Sequence, residues 1–122
     1  MNILLVDDNA SVRGVLAQAL ETHGYQVTTA DNGLAGLNAA KNGCYDFIVT
    51  DYKMPIIDGV KLIENITTDL KFPKSKVLLL TTEVSDKAKF IFEKLKINWL
   101  AKPVEAAQLL KQLPQVPTPQ IA

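Results

Sequence analysis

The strongest constraint on this chain is a regular alternation between short apolar segments and stretches of helical periodicity. Strands that are apolar along their whole length are typical of a parallel sheet covered by helices on both faces. The pattern therefore predicts an α/β fold with a five-stranded parallel sheet. The five predicted strands, each rich in Val, Ile or Leu, are residues 2–6, 26–30, 46–50, 76–81 and 97–101.

Between these strands, apolar residues recur at the spacing of a helix that packs one face against a sheet. Segments 88–95 and 106–113 show this spacing clearly, and weaker patterns at 34–41 and 60–70 predict two more helices. Right-handed crossovers then favour a doubly wound sheet with strand order 2-1-3-4-5, a flavodoxin-like or (βα)5 arrangement that binds ligands at the carboxyl ends of its strands. The clearest apolar stripe, in the first predicted helix, is Val12, Val15, Leu16, Ala19 and Leu20.

Length and composition exclude several classes of function. The chain has 122 residues, 48% of them apolar, which suits one globular domain, and its thirteen basic and thirteen acidic side chains give no basic footprint for nucleic acid. No apolar run is long enough to cross a bilayer, and the first residues lack the basic start of a secretory signal, so we expect a cytoplasmic protein. We expect the single cysteine, Cys44, to pack in the interior and His23 to be a solvated residue at a helix end.

The domain is predicted to span residues 1–113. Residues 114–122 contain three prolines, which cannot continue a helix. We expect this segment to be a tail or the remnant of a linker to a further domain.

Polar side chains stand at the ends of four predicted strands: Asp7 and Asp8, Asp51, Thr81, and Lys102. Because the carboxyl ends of parallel strands meet at one edge of a sheet, these groups should converge. Three carboxylates against one ammonium leave excess negative charge, which favours a bound divalent cation, and ligation by few carboxylates suits Mg²⁺ better than Ca²⁺. Each residue alone also fits a cap, a turn or a solvated charge, and their combination is what favours a site.

Four motifs at these strand ends resemble those of one known family: LVDDN at 5–9 with Arg13, DYKMPIIDG at 51–59, LTTE at 80–83, and KP at 102–103. Over residues 1–113 the chain resembles a response-regulator receiver domain of the CheY-like kind, whose fold has the strand order predicted above. The resemblance implies a signalling protein that catalyses only its own phosphorylation and dephosphorylation, and not a separate enzyme.

The resemblance implies that Asp51 accepts a phosphoryl group from a phosphohistidine on a histidine kinase or phosphotransfer protein. It also implies a bound Mg²⁺, or Mn²⁺ in its place. Asp8 and Asp51 would bind this ion directly, Asp7 would bind it through water, and Lys53 would bind it through its backbone carbonyl. Lys102 and Thr81 would complete the catalytic set by contributing a positive charge and a hydroxyl to the phosphoryl oxygens, as phosphoryl transfer requires. The Lys102–Pro103 peptide bond is expected to be cis.

The resemblance further implies an output face, formed by the fourth helix, the fifth strand and the fifth helix, that binds a downstream protein. Phosphorylation would draw Thr81 inward and let the aromatic side chain of Trp99 turn from exposed to buried. Phe90, off the apolar stripe of its helix, would add an exposed aromatic to this face, and Val104 stands where the family usually has an aromatic residue. The alternatives to these roles are that Trp99 is a plain core or surface indole and that Phe90 is a half-buried surface residue.

Three residues depart from the commonest family pattern and are expected to modulate rates. Thr82, where a small residue is usual, would narrow the entrance to the site and slow phosphorylation by small donors. Lys53 and Glu83 would overhang the phosphoryl group, and an ion pair between them would hinder the attacking water and lengthen the phosphorylated lifetime.

Other functions remain as alternatives. A phosphorylation-independent receiver-like adaptor would lack the acceptor, a metal carboxylate or the lysine, and none is missing here. A flavodoxin-like electron carrier would need a phosphate-binding loop where this chain has Asp7 and Asp8. An aspartyl-phosphate phosphatase would need a cap domain for which the chain is too short. The chain also fits the N-terminal receiver segment of a longer regulator.

Overall fold

Across residues 1–114, the part of the chain that the computed structural model describes, five parallel strands alternate with helices. The strand order is β2-β1-β3-β4-β5 with every neighbouring pair parallel, which confirms the predicted doubly wound sheet. The strands are β1 (Asn2–Val6), β2 (Gln26–Ala30), β3 (Phe47–Asp51), β4 (Val77–Thr81) and β5 (Trp99–Ala101).

The helices begin near the edge of the sheet at which the strands end. Side chains of Asn9, Asn32, Asp58 and Ser85 each accept a hydrogen bond from the backbone N–H three residues later, which caps the first four helices. These caps turn the chain sharply after each strand and leave the helix N-termini close to the strand ends. The helices are α1 (Ala10–Thr22), α2 (Gly33–Asn42), α3 (Gly59–Asp69), α4 (Asp86–Lys94) and α5 (Ala106–Gln112), with a short 3-10 turn at Lys74–Lys76.

The three central strands form the core of the sheet. All residues of β3 and β4 are buried, as are Ile3 to Val6 of β1, because helices cover both faces. Leu16 and Leu20 of α1 pack with Leu109 of α5 on one face, and Leu62 and Ile66 of α3 pack on the other. The rigid central strands therefore fix the positions of the residues at their carboxyl ends.

Two predictions about packing were wrong. Val15, on the predicted apolar stripe of α1, is 68% exposed, because α5 is short and a groove lined by Val15, Pro103 and Val104 separates α1 from the β5–α5 connection. Cys44 is exposed and not packed in the interior, because it lies in the connection between α2 and β3. His23 is confirmed as an exposed residue that ends α1.

Some predicted element ends differ from those observed. β3 begins at Phe47 and not at Asp46, whose carboxylate accepts a hydrogen bond from the backbone N–H of Asn2 at 2.7 Å. β5 begins only at Trp99. Within residues 1–114, no helix is both long and apolar enough to span a bilayer. Residues 115–122 of the predicted tail lie outside the part of the chain that the structure describes.

Gly59, the first residue of α3, is where the loop after β3 comes closest to the strand. Its N–H donates to the carbonyl of Tyr52 at 2.7 Å, and a Cβ at this position would overlap the backbone carbonyl of Asp51 and the side chain of Leu79. Only a residue without a side chain fits this approach.

We therefore predict that Gly59→Ala lowers the free energy of unfolding by about 1–3 kcal/mol, because backbone or core must move to admit the methyl group. The control is Gly14→Ala in α1, where nothing lies within 4 Å of an added Cβ. Alanine there should raise stability by up to about 1 kcal/mol through its higher helix propensity. Urea denaturation of both variants is the measurement, and equal effects at the two sites would contradict the prediction.

Candidate functional site

Three carboxylates meet at the carboxyl ends of β1 and β3. Asp7 is 0% exposed, Asp51 is 9% exposed, and Asp8 faces solvent. The parallel pairing of Val6 with Thr50 brings the two strand ends side by side. One oxygen of each carboxylate lies within 4.8 Å of the others, so the predicted convergence is confirmed.

Lys102, directly after the edge strand β5, connects this strand to the acidic cluster at the ends of β1 and β3. Its Nζ donates to Oδ2 of Asp7 at 3.0 Å and to Oδ1 of Asp51 at 3.1 Å. Its backbone N–H donates to the carbonyl of Thr81 at 2.7 Å, which fixes the chain where β5 ends, and the following bond to Pro103 is cis, as expected. A lysine that begins beside β4 thus reaches across that strand to β3 and β1.

The charges in this cluster are not balanced. Burial raises the pKa of Asp51, the hydrogen bond and charge of Lys102 lower it in part, and the nearby charge of Asp7 raises it further, so that the net shift is upward. Burial alone would lower the pKa of Lys102, but its bonds to Asp7 and Asp51 raise it above the usual value. Lys102 is therefore a permanent cation, and one ammonium does not satisfy three carboxylates.

The donor set suits a hard divalent cation. Asp7, Asp8 and Asp51 are the group of potential metal ligands found within residues 1–114, and all of their ligand atoms are carboxylate oxygens. Asp8 is exposed, which leaves the cluster accessible to an incoming ion. Few carboxylates with solvent access are the usual setting for Mg²⁺, which keeps several of its waters.

Thr81, the last residue of β4, is buried beside the cluster. Its hydroxyl accepts a hydrogen bond from the N–H of Glu83 at 2.8 Å and lies 3.1 Å from the Glu83 carbonyl, to which it donates. In this arrangement the hydroxyl is held by the β4–α4 loop. Thr82 is exposed and lines the groove beside Lys102 and Pro103.

Lys53 and Glu83 form the ion pair that the sequence predicts. Their side chains meet at 3.2 Å, with Lys53 exposed and Glu83 partly exposed, and the Lys53 Nζ also lies 4.5 Å from the ring centroid of Tyr52. The hydrogen bond that the Lys53 ammonium donates to the Glu83 carboxylate raises the pKa of Lys53 and lowers the pKa of Glu83. The pair joins the loop after Asp51 to the loop after Thr81.

A row of aromatic rings connects the neighbour of Asp51 to β5. The rings of Tyr52 and Phe92 meet edge to face with centroids 5.3 Å apart, and the centroids of Phe92 and Trp99 are 5.6 Å apart. Trp99 is half-buried, whereas Phe90 is 63% exposed, as its position off the apolar stripe predicts. The link through Tyr52 and Phe92 was missed by sequence reasoning, although Phe92 stands on the buried stripe of α4.

The remaining predicted residues lie around the same edge of the sheet. Arg13 donates from Nη1 to the backbone carbonyl of Asp7 at 2.8 Å and so holds the loop after β1. Val104 is half-buried and borders the groove between α1 and the β5–α5 connection. These contacts position the acidic loop without entering the carboxylate cluster.

Known proteins share both the sequence pattern and the fold. The response regulator receiver domain family matches residues 3–114. The chemotaxis protein CheY-3 of Vibrio cholerae is 34% identical over 118 residues, covering 95% of this chain and 91% of that protein. Protein PilH of Pseudomonas aeruginosa is 31% identical over 112 residues, covering 91% of this chain and 93% of that protein.

Solved structures agree with these relatives. The structure of Vibrio cholerae CheY4 superposes with a TM-score of 0.81 at 32% identity, covering 90% of this chain and 92% of that chain. The family match extends over nearly all of the described residues. The chain therefore belongs to the response regulator receiver domain family, as a CheY-like member.

Proposed function

We propose that this protein is the phosphoacceptor of a two-component phosphorelay and that Asp51 receives the phosphoryl group. The observation that carries the proposal is the contact of Lys102 with Asp7 and Asp51 beside a third carboxylate. Phosphoryl transfer needs mainly positioned groups that neutralise the phosphoryl oxygens, and this cluster has the required charges.

In the proposed reaction, a carboxylate oxygen of Asp51 attacks the phosphorus of a phosphohistidine on a kinase or phosphotransfer protein. The new O–P bond forms as the P–N bond to the imidazole breaks, and the imidazole nitrogen keeps the electron pair and takes up a proton. Lys102, already 3.1 Å from Asp51, stays beside the incoming oxygens. No separate substrate is turned over, so we class the protein as a signalling domain and not as an enzyme.

The carboxylates would also hold the metal. Asp8 and Asp51 are proposed as direct ligands of Mg²⁺ or Mn²⁺, Asp7 as a ligand through water, and the Lys53 carbonyl as the remaining protein ligand. When bound, the cation supplies positive charge to the phosphoryl oxygens. Its site draws support from the excess of negative charge that Lys102 leaves uncompensated.

The output of phosphorylation is proposed to pass through Thr81. Its hydroxyl must leave the Glu83 backbone to reach a phosphoryl group on Asp51, and this would shift the β4–α4 loop. Trp99 packs against Phe92 of α4, the helix that follows that loop, so the shift would change the burial of the indole. Phe90 and Val104 would flank the resulting contact surface for a downstream protein on α4, β5 and α5.

The first prediction from the proposed function concerns the acceptor. Incubation of the full chain with a small acyl phosphate and Mg²⁺, or with a phosphohistidine donor, should add one phosphoryl group to the wild type and none to Asp51→Asn. Trp99 fluorescence should change in the wild type alone. Intact mass and fluorescence are the measurements, with Asp69→Asn, an exposed carboxylate at the end of α3, as control. Equal labelling of Asp51→Asn would overturn the assignment.

The second prediction concerns charge and metal. Because burial raises the pKa of Asp51, its carboxylate weakens the metal-free fold at neutral pH. The loss of folding free energy decreases as the pH drops through the raised pKa of the folded state. It is absent below the ordinary aspartate pKa of about 3.9, where the carboxyl is protonated in both the folded and the unfolded state. Asp51→Asn should therefore be more stable than the wild type at pH 7 with a chelator, and the difference should vanish in acid.

Addition of Mg²⁺ should reverse this order at pH 7. At about 100 times its dissociation constant, the cation stabilises a protein that binds it by about 2.7 kcal/mol. Asp51→Asn, with one carboxylate fewer, should gain much less, and Asp69→Asn should gain as much as the wild type. Thermal denaturation with chelator and with Mg²⁺ measures both effects. Equal gains in wild type and Asp51→Asn would exclude Asp51 as a ligand.

The third prediction concerns the phosphorylated lifetime. If the Lys53–Glu83 pair screens the phosphoryl group from water, Lys53→Ala with Glu83→Ala should speed dephosphorylation by roughly two- to fivefold. The matched control is Lys61→Ala with Glu64→Ala, an exposed pair at 3.9 Å on α3. The decay of the phosphorylated mass after removal of donor gives both rates. An unchanged rate in the Lys53 and Glu83 variant would remove the proposed screen.

A further inference from the structure

The charge of this protein is segregated along the chain. Residues 71–96 contain seven lysines and three carboxylates, a net charge of +4, and since the whole chain is neutral the remainder carries −4. One of the three carboxylates, Glu83, is already paired with Lys53. The excess of positive charge is therefore concentrated in about one fifth of the chain.

Five of these lysines lie at the edge of the sheet opposite to Asp51. β4 and β5 are neighbouring parallel strands, so the α3–β4 and α4–β5 connections enter the sheet at the same, amino-terminal edge. The Nζ of Lys74 donates to the carbonyl of Leu95 at 3.0 Å, which brings the two connections into direct contact. We name this surface the basic edge, and its residues are Lys71, Lys74, Lys76, Lys94 and Lys96.

Two exposed carboxylates, Asp69 at the end of α3 and Glu93 on α4, lie near the basic edge, but neither forms an ion pair with its five lysines. All five lysines are exposed, and among residues 1–114 the ion pairs involve only Lys53, Lys61 and Lys102. A positive charge near a helix C-terminus stabilises the helix through its dipole, and this accounts for one lysine at the end of α3 and one at the end of α4. It does not account for five on one surface, where like charges repel each other.

Two of the five lysines stand where the backbone favours glycine. Lys71 has φ 60° and Lys96 has φ 57°, each directly after the cap residue that ends α3 or α4. Glycine is the usual residue at this left-handed position, and any other side chain costs conformational energy. What lysine adds over glycine here is a positive charge at the surface, which points to a role in contact with an anionic partner.

An exposed aromatic side chain adjoins the basic edge. Phe90 is 63% exposed and lies one helical turn before Lys94 on α4. An aromatic side chain beside cations suits a protein segment with both acidic and apolar residues, because aromatic anchors contribute most of the affinity at protein interfaces.

We propose that the basic edge, together with Phe90, binds an acidic segment of a partner protein that also carries apolar side chains. The five lysines attract and orient the acidic groups, and Phe90 contacts an apolar side chain. Because the basic edge lies opposite to Asp51, the segment can bind while the carboxylate cluster stays accessible. This docking requires neither phosphorylation nor the proposed acceptor role of Asp51.

The test uses a synthetic peptide rich in Asp and Glu that carries leucines, titrated into the isotope-labelled full chain while amide chemical shifts are followed. Shifts are expected within residues 71–76 and 90–97. Lys74→Gln with Lys94→Gln and Lys96→Gln should weaken binding at least about fivefold. The control, Lys41→Gln with Lys61→Gln and Lys111→Gln, removes the same charge elsewhere and should change binding less than about twofold. Equal weakening in both triple variants would overturn the proposal.

Two further comparisons define the partner. Phe90→Ala should weaken binding of the leucine peptide but not of a peptide with serine in place of leucine, and an equal effect on both would exclude Phe90 as an anchor. An alternative outcome is that the protein binds phosphatidylserine vesicles, with the same dependence on the three lysines, and fails to bind the peptide. That result would overturn the proposal in favour of a membrane surface. Asp51→Asn should bind the peptide as the wild type does, which separates this test from that of the acceptor.

Discussion

The ammonium of Lys102 lies 3.0 Å from one carboxylate and 3.1 Å from another, both almost without solvent contact. Asp7 and Asp51 come from neighbouring strands, and two buried carboxylates side by side would repel each other strongly without a cation between them. In this fold the cation comes from the end of β5, and the long side chain of Lys102 spans β4 to reach both carboxylates. The order of the strands and the chemistry of the site therefore depend on each other.

The loops around this contact are held by local features of their own. Gly59 lets the loop after β3 pass directly over the carbonyl of Asp51, and Thr81 holds the loop after β4 through the backbone of Glu83. The Lys53–Glu83 pair then joins the two loops at the surface. Short, direct contacts thus link the loop after Asp51 to the loop after β4.

Most of the fold and the acidic cluster could be predicted from the sequence, because both follow from local patterns. Five apolar strands in strict alternation with helices leave few topologies, and Asp7 and Asp51 stand where those strands end. Val15 and Cys44 were predicted wrongly, because burial depends on what a neighbouring element covers and not on periodicity alone. The contact of Tyr52 with Phe92 joins residues 40 positions apart and has no local signal.

The carboxylates around Asp51 and the lysines of the basic edge lie at opposite edges of the sheet, so the charge of the molecule is unevenly distributed. Charges at the two edges act on an approaching protein over about 10 Å at 0.1 M salt, before any side chains touch. A partner with an uneven charge distribution of its own is turned toward one edge during its approach, which raises the rate of productive collisions more than it changes the lifetime of the complex. Zero net charge is thus compatible with an uneven local field, and the rate of any association at the basic edge would depend on ionic strength.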